Sequence, residues 1–293
     1  MDWADNETQA AFRAKVSAVI EEQLPERYRS GGGDIERDRH SDDPTARDAA
    51  EEWVAAMAEA GWIAPHWPEE YGGAGLSPME QFIFKQEMST AGAPAVGGRG
   101  VSQLGPTLIV HGTDEQKAEH LPKILSGEVD WRQGYSEPGS GSDLASLQTR
   151  AVRDGDEYVI NGQKIWTSLA HLADWLYVLV RTDPDAPKHR GISFLLVDKS
   201  TPGVSVRPLI DMSGRHHFNE TFFEDVRVPV SNRVGDENRG WYVGMTLLDF
   251  ERSNIGGAVG SRRMLTRIVE DLAGVAGASD ETRGEIAERY IET

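Results

Sequence analysis

The sequence predicts an α+β chain: an N-terminal helical domain (residues 1–127), a central antiparallel sheet or small barrel (128–235), and the opening of a C-terminal helical bundle (236–293). Three observations carry this. Apolar residues recur at helical spacing up to residue 127, the pattern then breaks into short β-rich runs between close turns, and the helical period returns near Arg239.

In the first part, Phe12, Val16, Val19/Ile20 and Leu24 line one helix face, as do Trp53, Val54 and Met57 on another. "SPME" reads as a capping box, with Ser77 at N-cap, Pro78 at N1 and Glu80 at N3, opening a helix through Met88. Thr113 and Gln116 of "TDEQ" repeat the device. Arg29–Asp43 is polar and charged and reads as a mobile connection, and "WPEEYGGAGL" (67–76) as a glycine-rich loop. In the second part, Asp154-Gly155 and Asn161-Gly162 read as turns flanking a strand over Glu157–Ile160. Further strands are expected over Trp175–Val180, Ile192–Val197, Val204–Val206 and Thr221–Val228. In the third part, Trp241, Met245, Leu248, Glu251, Ile255 and Ala258 follow at steps of three or four, which sets Glu251 inside an apolar stripe. A last helix begins near Asp280 and is still running at Thr293 without a stop signal, so this domain is expected to be truncated or completed by another chain.

Composition narrows the function. The chain has no cysteine, which excludes disulfides, thiolate metal sites and thiol catalysis and fits a reducing cytoplasm. With 30 basic and 48 acidic residues the net charge is −18, a surface that repels nucleic acid and anionic lipid. An anionic small molecule therefore needs a local basic or N–H-rich site. No run is long enough to span a membrane. His216-His217 is no metal pair, because adjacent strand residues point to opposite faces, and His111 and His120 read as helix-surface or packing residues. No metal site is expected.

The segment "GYSEPGSGSDL" (134–144) lies between the helical and strand-rich parts. By composition it is a flexible linker. Against that reading, Pro138 stiffens it, Gly139 and Gly141 permit close backbone approach, and Ser136, Ser140 and Ser142 supply hydroxyls, a combination able to cradle an anion.

"YSEPGSGSDLA" (135–145) resembles the signature loop of the acyl-CoA dehydrogenase family. The resemblance continues in "GWIAPHWPEEYGG" (61–73), "NGQKIWTS" (161–168), "FFEDVRVP" (222–229) and "LLDFER" (247–252), in the family's order. It implies that family's helix–sheet–helix architecture, with FAD between the sheet and the C-terminal helices. Gln133, Tyr135 and Ser136 are then expected to border the flavin, although many relatives carry an aromatic where Gln133 stands. Gly141 and Ser142 belong to the same loop, with Ser142 reaching both phosphate and acyl-CoA. Trp166, which by itself reads as a strand-end core aromatic, would pack on the ring. Ser168 would hydrogen-bond near N5, with Thr167 as the alternative. Asp249 and Arg252 match positions that contact CoA, and Glu251 matches one of the two positions at which the family places its catalytic base.

The implied reaction is α,β-dehydrogenation of an acyl-CoA thioester, with electrons passing to an electron-transfer flavoprotein from a homo- or hetero-oligomeric enzyme. Two other readings fit the same residues. One is an oxygen-reactive flavoenzyme on this fold, such as an acyl-CoA oxidase or monooxygenase. The other is an FAD-binding subunit that shares its site with a different chain.

Overall fold

A computed structural model describes residues 4–31, 33–251, 255–273 and 279–292. In chain order the helices are α1 (Glu7–Gln23), α2 (Glu26–Arg29), α3 (Ile35–Asp38), α4 (Pro44–Glu59), α5 (Pro78–Ala91), α6 (Gly105–His111) and α7 (Asp114–Ser126). Strands β1 (Trp131–Gly134), β2 (Arg150–Asp154), β3 (Glu157–Lys164), β4 (Trp175–Arg181), β5 (Ile192–Asp198), β6 (Val204–Ile210), β7 (His216–Pro229) and β8 (Arg233–Val234) follow. Helices α8 (Gly240–Glu251), α9 (Ile255–Ala273) and α10 (Asp280–Glu292) close the order. The chain divides into two compact units, Met1–Val96 with Ser253–Thr293, and Gly97–Arg252.

The first unit is helical. Asn6 and Gln9 form a capping box at α1, and Ser77 and Glu80 form the one read from "SPME" at α5, which stops at Gly92 in the left-handed conformation (φ 71°). Val16, Ile20, Trp53, Met57, Trp62 and Phe84 share one core. The stretch read as a mobile connection is instead, over its described residues, tied to its surroundings by side chains. It holds α3, Ile35 and Asp38 are buried, and both Asp38 carboxylate oxygens accept from the guanidinium of Arg27 in the preceding α2 at 2.8 Å. High local charge here marks an internal ion pair, not solvation. On α9 and α10, a groove lined by Val269, Leu272, Ile286, Ala287, Tyr290 and Ile291 stays open, with Ile291 85% exposed.

The second unit is built on one sheet of order β6-β7-β3-β2-β4-β5-β8, with β1 also paired to β4. The sheet is mixed, not wholly antiparallel. β1 runs parallel to β4, and β2 touches β4 in parallel at the single register Arg150↔Arg181. That single point joins two sub-sheets, and Tyr158, Ile160, Phe223 and Val226 of one pack with Leu176, Val178, Leu195 and Val197 of the other. Strands β4 and β5 are buried on both faces, which accounts for their unbroken apolar runs.

Asn161-Gly162 is not a turn. It is a bulge within β3, where the register against β7 shifts between Ile160 and Gly162. A Cβ at Gly162 would lie 2.6 Å from Thr149 Oγ1, so close approach requires the glycine. Helix α8 lies on β4 and β5. A methyl at Gly240 would overlap the Phe194 amide, and one at Gly244 would meet Leu179 Cδ1 at 3.2 Å. Among its described residues Gly240, Val243, Gly244 and Leu247 are buried, whereas Trp241, Met245 and Leu248 of the expected stripe are half-buried; the side chains of Ile255 and Ala258 lie outside the described residues. No helix among the described residues is long and apolar enough to cross a membrane.

Candidate active site

The segment after β1 is a folded turn. Glu137 and Ser140 exchange backbone hydrogen bonds (2.9 and 3.0 Å) across Pro138-Gly139, and the Ser140 hydroxyl donates to the Asp143 carbonyl at 2.8 Å. Beneath it the Glu137 carboxylate accepts from the backbone N–H groups of Gln148 (2.6 Å) and Thr149 (2.8 Å) and from Lys164 Nζ (2.8 Å). Lys164 also donates to the Tyr135 carbonyl at 3.1 Å. Burial pushes the Glu137 pKa up, but the Lys164 charge and these donors together hold it below the usual range. Burial lowers Lys164 to about 8 against the opposing pull of Glu137. Arg181 ties down the far side by donating to the carbonyls of Ala145 (2.6 Å) and Lys188 (3.0 Å). A loop braced by a buried ion pair and a buried guanidinium is no tether.

Above this brace the loop opens outward. Gly141 and Ser142 are exposed, Ser136 and Gln133 are half-buried, and Tyr135 is buried with its ring edge-on to Tyr177. A Cβ at Gly139 or Gly141 would meet no atom within 4 Å, and neither residue has a positive φ. The chain's own packing and conformation therefore leave room at both positions.

The second segment meets the first directly. The Ile165 N–H donates to the Ser136 carbonyl at 2.9 Å, joining the end of β3 to the loop. Immediately after, Trp166 (φ 61°) and Leu169 (φ 52°) both stand in the left-handed region, where a non-glycine residue costs roughly 1–2 kcal/mol. This tight turn turns the Trp166 indole outward, 58% exposed and edge-to-face with Phe218 (5.7 Å, 90°), so Trp166 is not a core aromatic. Thr167 is buried and its Oγ1 has no hydrogen-bond partner among the described residues, while Ser168 is half-buried. Backbone strain beside an aromatic held in the open is a combination that clusters at ligand sites.

The remaining expected residues lie on α8. Asp249 is exposed near its end, Glu251 is its last residue, four positions after the buried Leu247, and the side chain of Glu251 and all of Arg252 lie outside the described residues. Of the histidines, His120 is buried edge-on against Trp131 and Trp175, His111 Nε2 lies 2.9 Å from Thr246 Oγ1, and His216 stacks on His171 at 3.9 Å. No group of three His, Asp or Glu able to hold a metal occurs among the described residues.

Sequence reasoning missed three supports. The Glu137–Lys164 pair and the Arg181 anchor join residues far apart in sequence, and no local pattern announces them. The tripeptide Lys188-His189-Arg190 was legible as a basic run in an acidic chain. In the structure Lys188 pairs with Asp143 of the loop, and His189 packs on Trp241 of α8 at 4.7 Å.

Comparison with known proteins agrees with this geometry. Residues 6–128 match the acyl-CoA dehydrogenase N-terminal domain and residues 133–226 the middle domain. The chain is 46% identical over 231 residues to the acyl-CoA dehydrogenase IpdE1 of Mycobacterium tuberculosis, covering 78% of this chain and 60% of that protein. A solved structure described as the Tcur3481-Tcur3483 steroid ACAD aligns over the whole of this chain and 74% of its own, at 40% identity and a TM-score of 0.81. The ChsE4-ChsE5 complex from Mycobacterium tuberculosis aligns over the whole of this chain and 74% of its own, at 36% identity and a TM-score of 0.79. The chain spans only 50–60% of the length of the curated relatives IpdE1, FadE26 and FadE29. With both domain families matched in order across most of its length, this chain belongs to the acyl-CoA dehydrogenase family.

Proposed function

We propose that this chain carries the flavin- and thioester-binding surface of an enzyme that oxidises an acyl-CoA to its trans-2-enoyl thioester, with electrons leaving to an electron-transfer flavoprotein. The observation that carries the reading is the union of the Ser136 loop with the strained Trp166–Leu169 turn, made by the Ile165–Ser136 hydrogen bond of 2.9 Å. FAD, when bound, supplies the acceptor for the hydride leaving Cβ. The chain's residues fit such a group. The outward indole of Trp166 offers a flat apolar wall, Ser168 beside it a hydroxyl, and Gln133, Tyr135 and Ser136 a border; Thr167, turned inward, is the poorer donor. The open space at Gly141 lets a phosphate approach the backbone, and Ser142 adds a hydroxyl there.

For the thioester, Lys188-His189-Arg190 supplies the local positive charge that a net −18 chain needs to attract a polyanion, set between Ser142 and the first turn of α8. By the family resemblance, Asp249 and Arg252 contact the CoA portion. Glu251 takes the α-proton as base while the hydride leaves Cβ, so one C–H bond breaks to a proton and the other to a hydride. The acyl group we assign to the bulky, polycyclic class and the working enzyme to a two-chain assembly, because a solved relative is described as a steroid ACAD under two protein designations and another as a complex. The test is Glu251→Gln, followed by anaerobic flavin bleaching with a CoA thioester that the wild type turns over. A loss of several orders of magnitude with FAD and CoA binding retained is expected. A near-normal rate removes Glu251 from the role, and rapid reoxidation of the reduced wild type in air would favour an oxidase.

A further inference from the structure

Asn219, near the start of β7, is fully buried. Its Nδ2 donates to the Thr167 carbonyl at 3.0 Å, and its own carbonyl accepts from the Thr167 N–H at 3.1 Å. Thr167 is thus held at both backbone groups by one residue. Two positions earlier, the His217 carbonyl accepts from the Leu169 N–H at 2.7 Å. These three bonds fall inside the turn bounded by the left-handed residues Trp166 and Leu169. A turn of that kind persists only where its surroundings over-determine it. Here the over-determination comes from a single short stretch of β7.

The amide is itself oriented. Because Nδ2 faces the Thr167 carbonyl, Oδ1 must face His216, whose Nε2 lies 2.8 Å away and therefore carries the proton and donates. The His216 ring is fixed in turn by stacking on His171, with centroids 3.9 Å apart and planes at 21°. A chain of contacts thus runs from the His171–His216 stack through the Asn219 amide to the Thr167 backbone.

The geometry points to Asn219, with His216 orienting its amide, as the positioning residue that keeps Trp166 and Ser168 on the flavin-facing side of the strained turn. The inference rests on the function proposed above and adds a role for residues with no place on the reacting surface. Three variants separate positioning from simple packing. Asn219→Asp is nearly isosteric but sets an oxygen against the Thr167 carbonyl. His216→Phe keeps a stacking ring but loses the donor to Oδ1, and His216→Gln restores one.

Two readouts are taken on the whole protein. Amide hydrogen exchange across residues 165–170 without flavin reads the turn alone, and an FAD titration reads its consequence. Asn219→Asp is expected to speed exchange and weaken FAD binding, each about tenfold or more. His216→Phe should move both in the same direction, and His216→Gln should stay near wild type. Should Asn219→Asp fail to fold, the two His216 variants carry the same comparison. Unchanged exchange, or faster exchange with unchanged FAD affinity, overturns the inference. A wild-type protein that takes up no FAD defeats the proposed function as well, whereas normal wild-type uptake with unaltered variants defeats this inference alone.

Discussion

Glu137 and Lys164 show how much of a signature residue's work can be structural. Their carboxylate and ammonium sit 2.8 Å apart with neither side chain appreciably exposed. Breaking such a pair leaves a buried charge uncompensated and costs about 3–5 kcal/mol, while replacing both partners by apolar groups is often close to neutral. Lys164→Met is therefore expected to destabilise by about that amount, and Glu137→Leu with Lys164→Met to recover most of it. Urea unfolding of the four proteins of the cycle measures both. The sign of the pH dependence follows from the depressed pKa of Glu137. Its contribution is complete above the ordinary carboxylate range and is lost as pH falls through its own lower value, since the unfolded state then binds the proton more readily. The acid limb of the stability profile should accordingly be steeper in wild type than in the double variant. Nothing in the sequence announces the pair, because an ion pair across 27 residues leaves no periodic trace.

At the scale of elements, legibility followed locality. The capping boxes at Ser77 and Thr113 formed as read, because each is complete within four residues. Strands β4 and β5 were evident from their apolar runs. What was misread depended on partners elsewhere. Asn161-Gly162 became a bulge because Thr149 crowds Gly162, β1 runs parallel because it pairs with β4 and not with a hairpin neighbour, and Arg27 and Asp38 order a stretch whose charge suggested solvent. For the site, the Ser136 loop and the Trp166 segment were visible as motifs, whereas the Asn219 and Arg181 supports were not. Helix α8 carries the element-scale prediction. Gly240 opens it directly against the Phe194 amide, so Gly240→Ala must push the helix start off β5. A cost of about 1–3 kcal/mol is expected, the usual range for overpacking, together with slower flavin reduction by acyl-CoA at unchanged FAD affinity. Thermal melts and single-turnover bleaching measure the two effects. An unchanged melting temperature would show that α8 does not depend on this contact.

Over the whole molecule, the charge of −18 sets the terms on which the proposed CoA thioester would bind. Long-range repulsion has to be overcome by a local field, and Lys188-His189-Arg190 lies where the loop and α8 come together. Lys188→Glu with Arg190→Glu is expected to raise KM for a CoA thioester about tenfold or more, while KM for the matching pantetheine thioester, which lacks the nucleotide, stays the same. Equal changes for both would place the nucleotide elsewhere. The central claim is that the Ser136 loop and the Trp166 turn together make a flavin surface serving thioester oxidation. Its most direct test is the visible spectrum of the native protein before and after anaerobic addition of acyl-CoA thioesters. The account requires a yellow protein, carrying FAD as purified or taking it up on addition, whose flavin absorbance bleaches with at least one CoA thioester. A native protein that shows no flavin absorbance and takes up no FAD would contradict it.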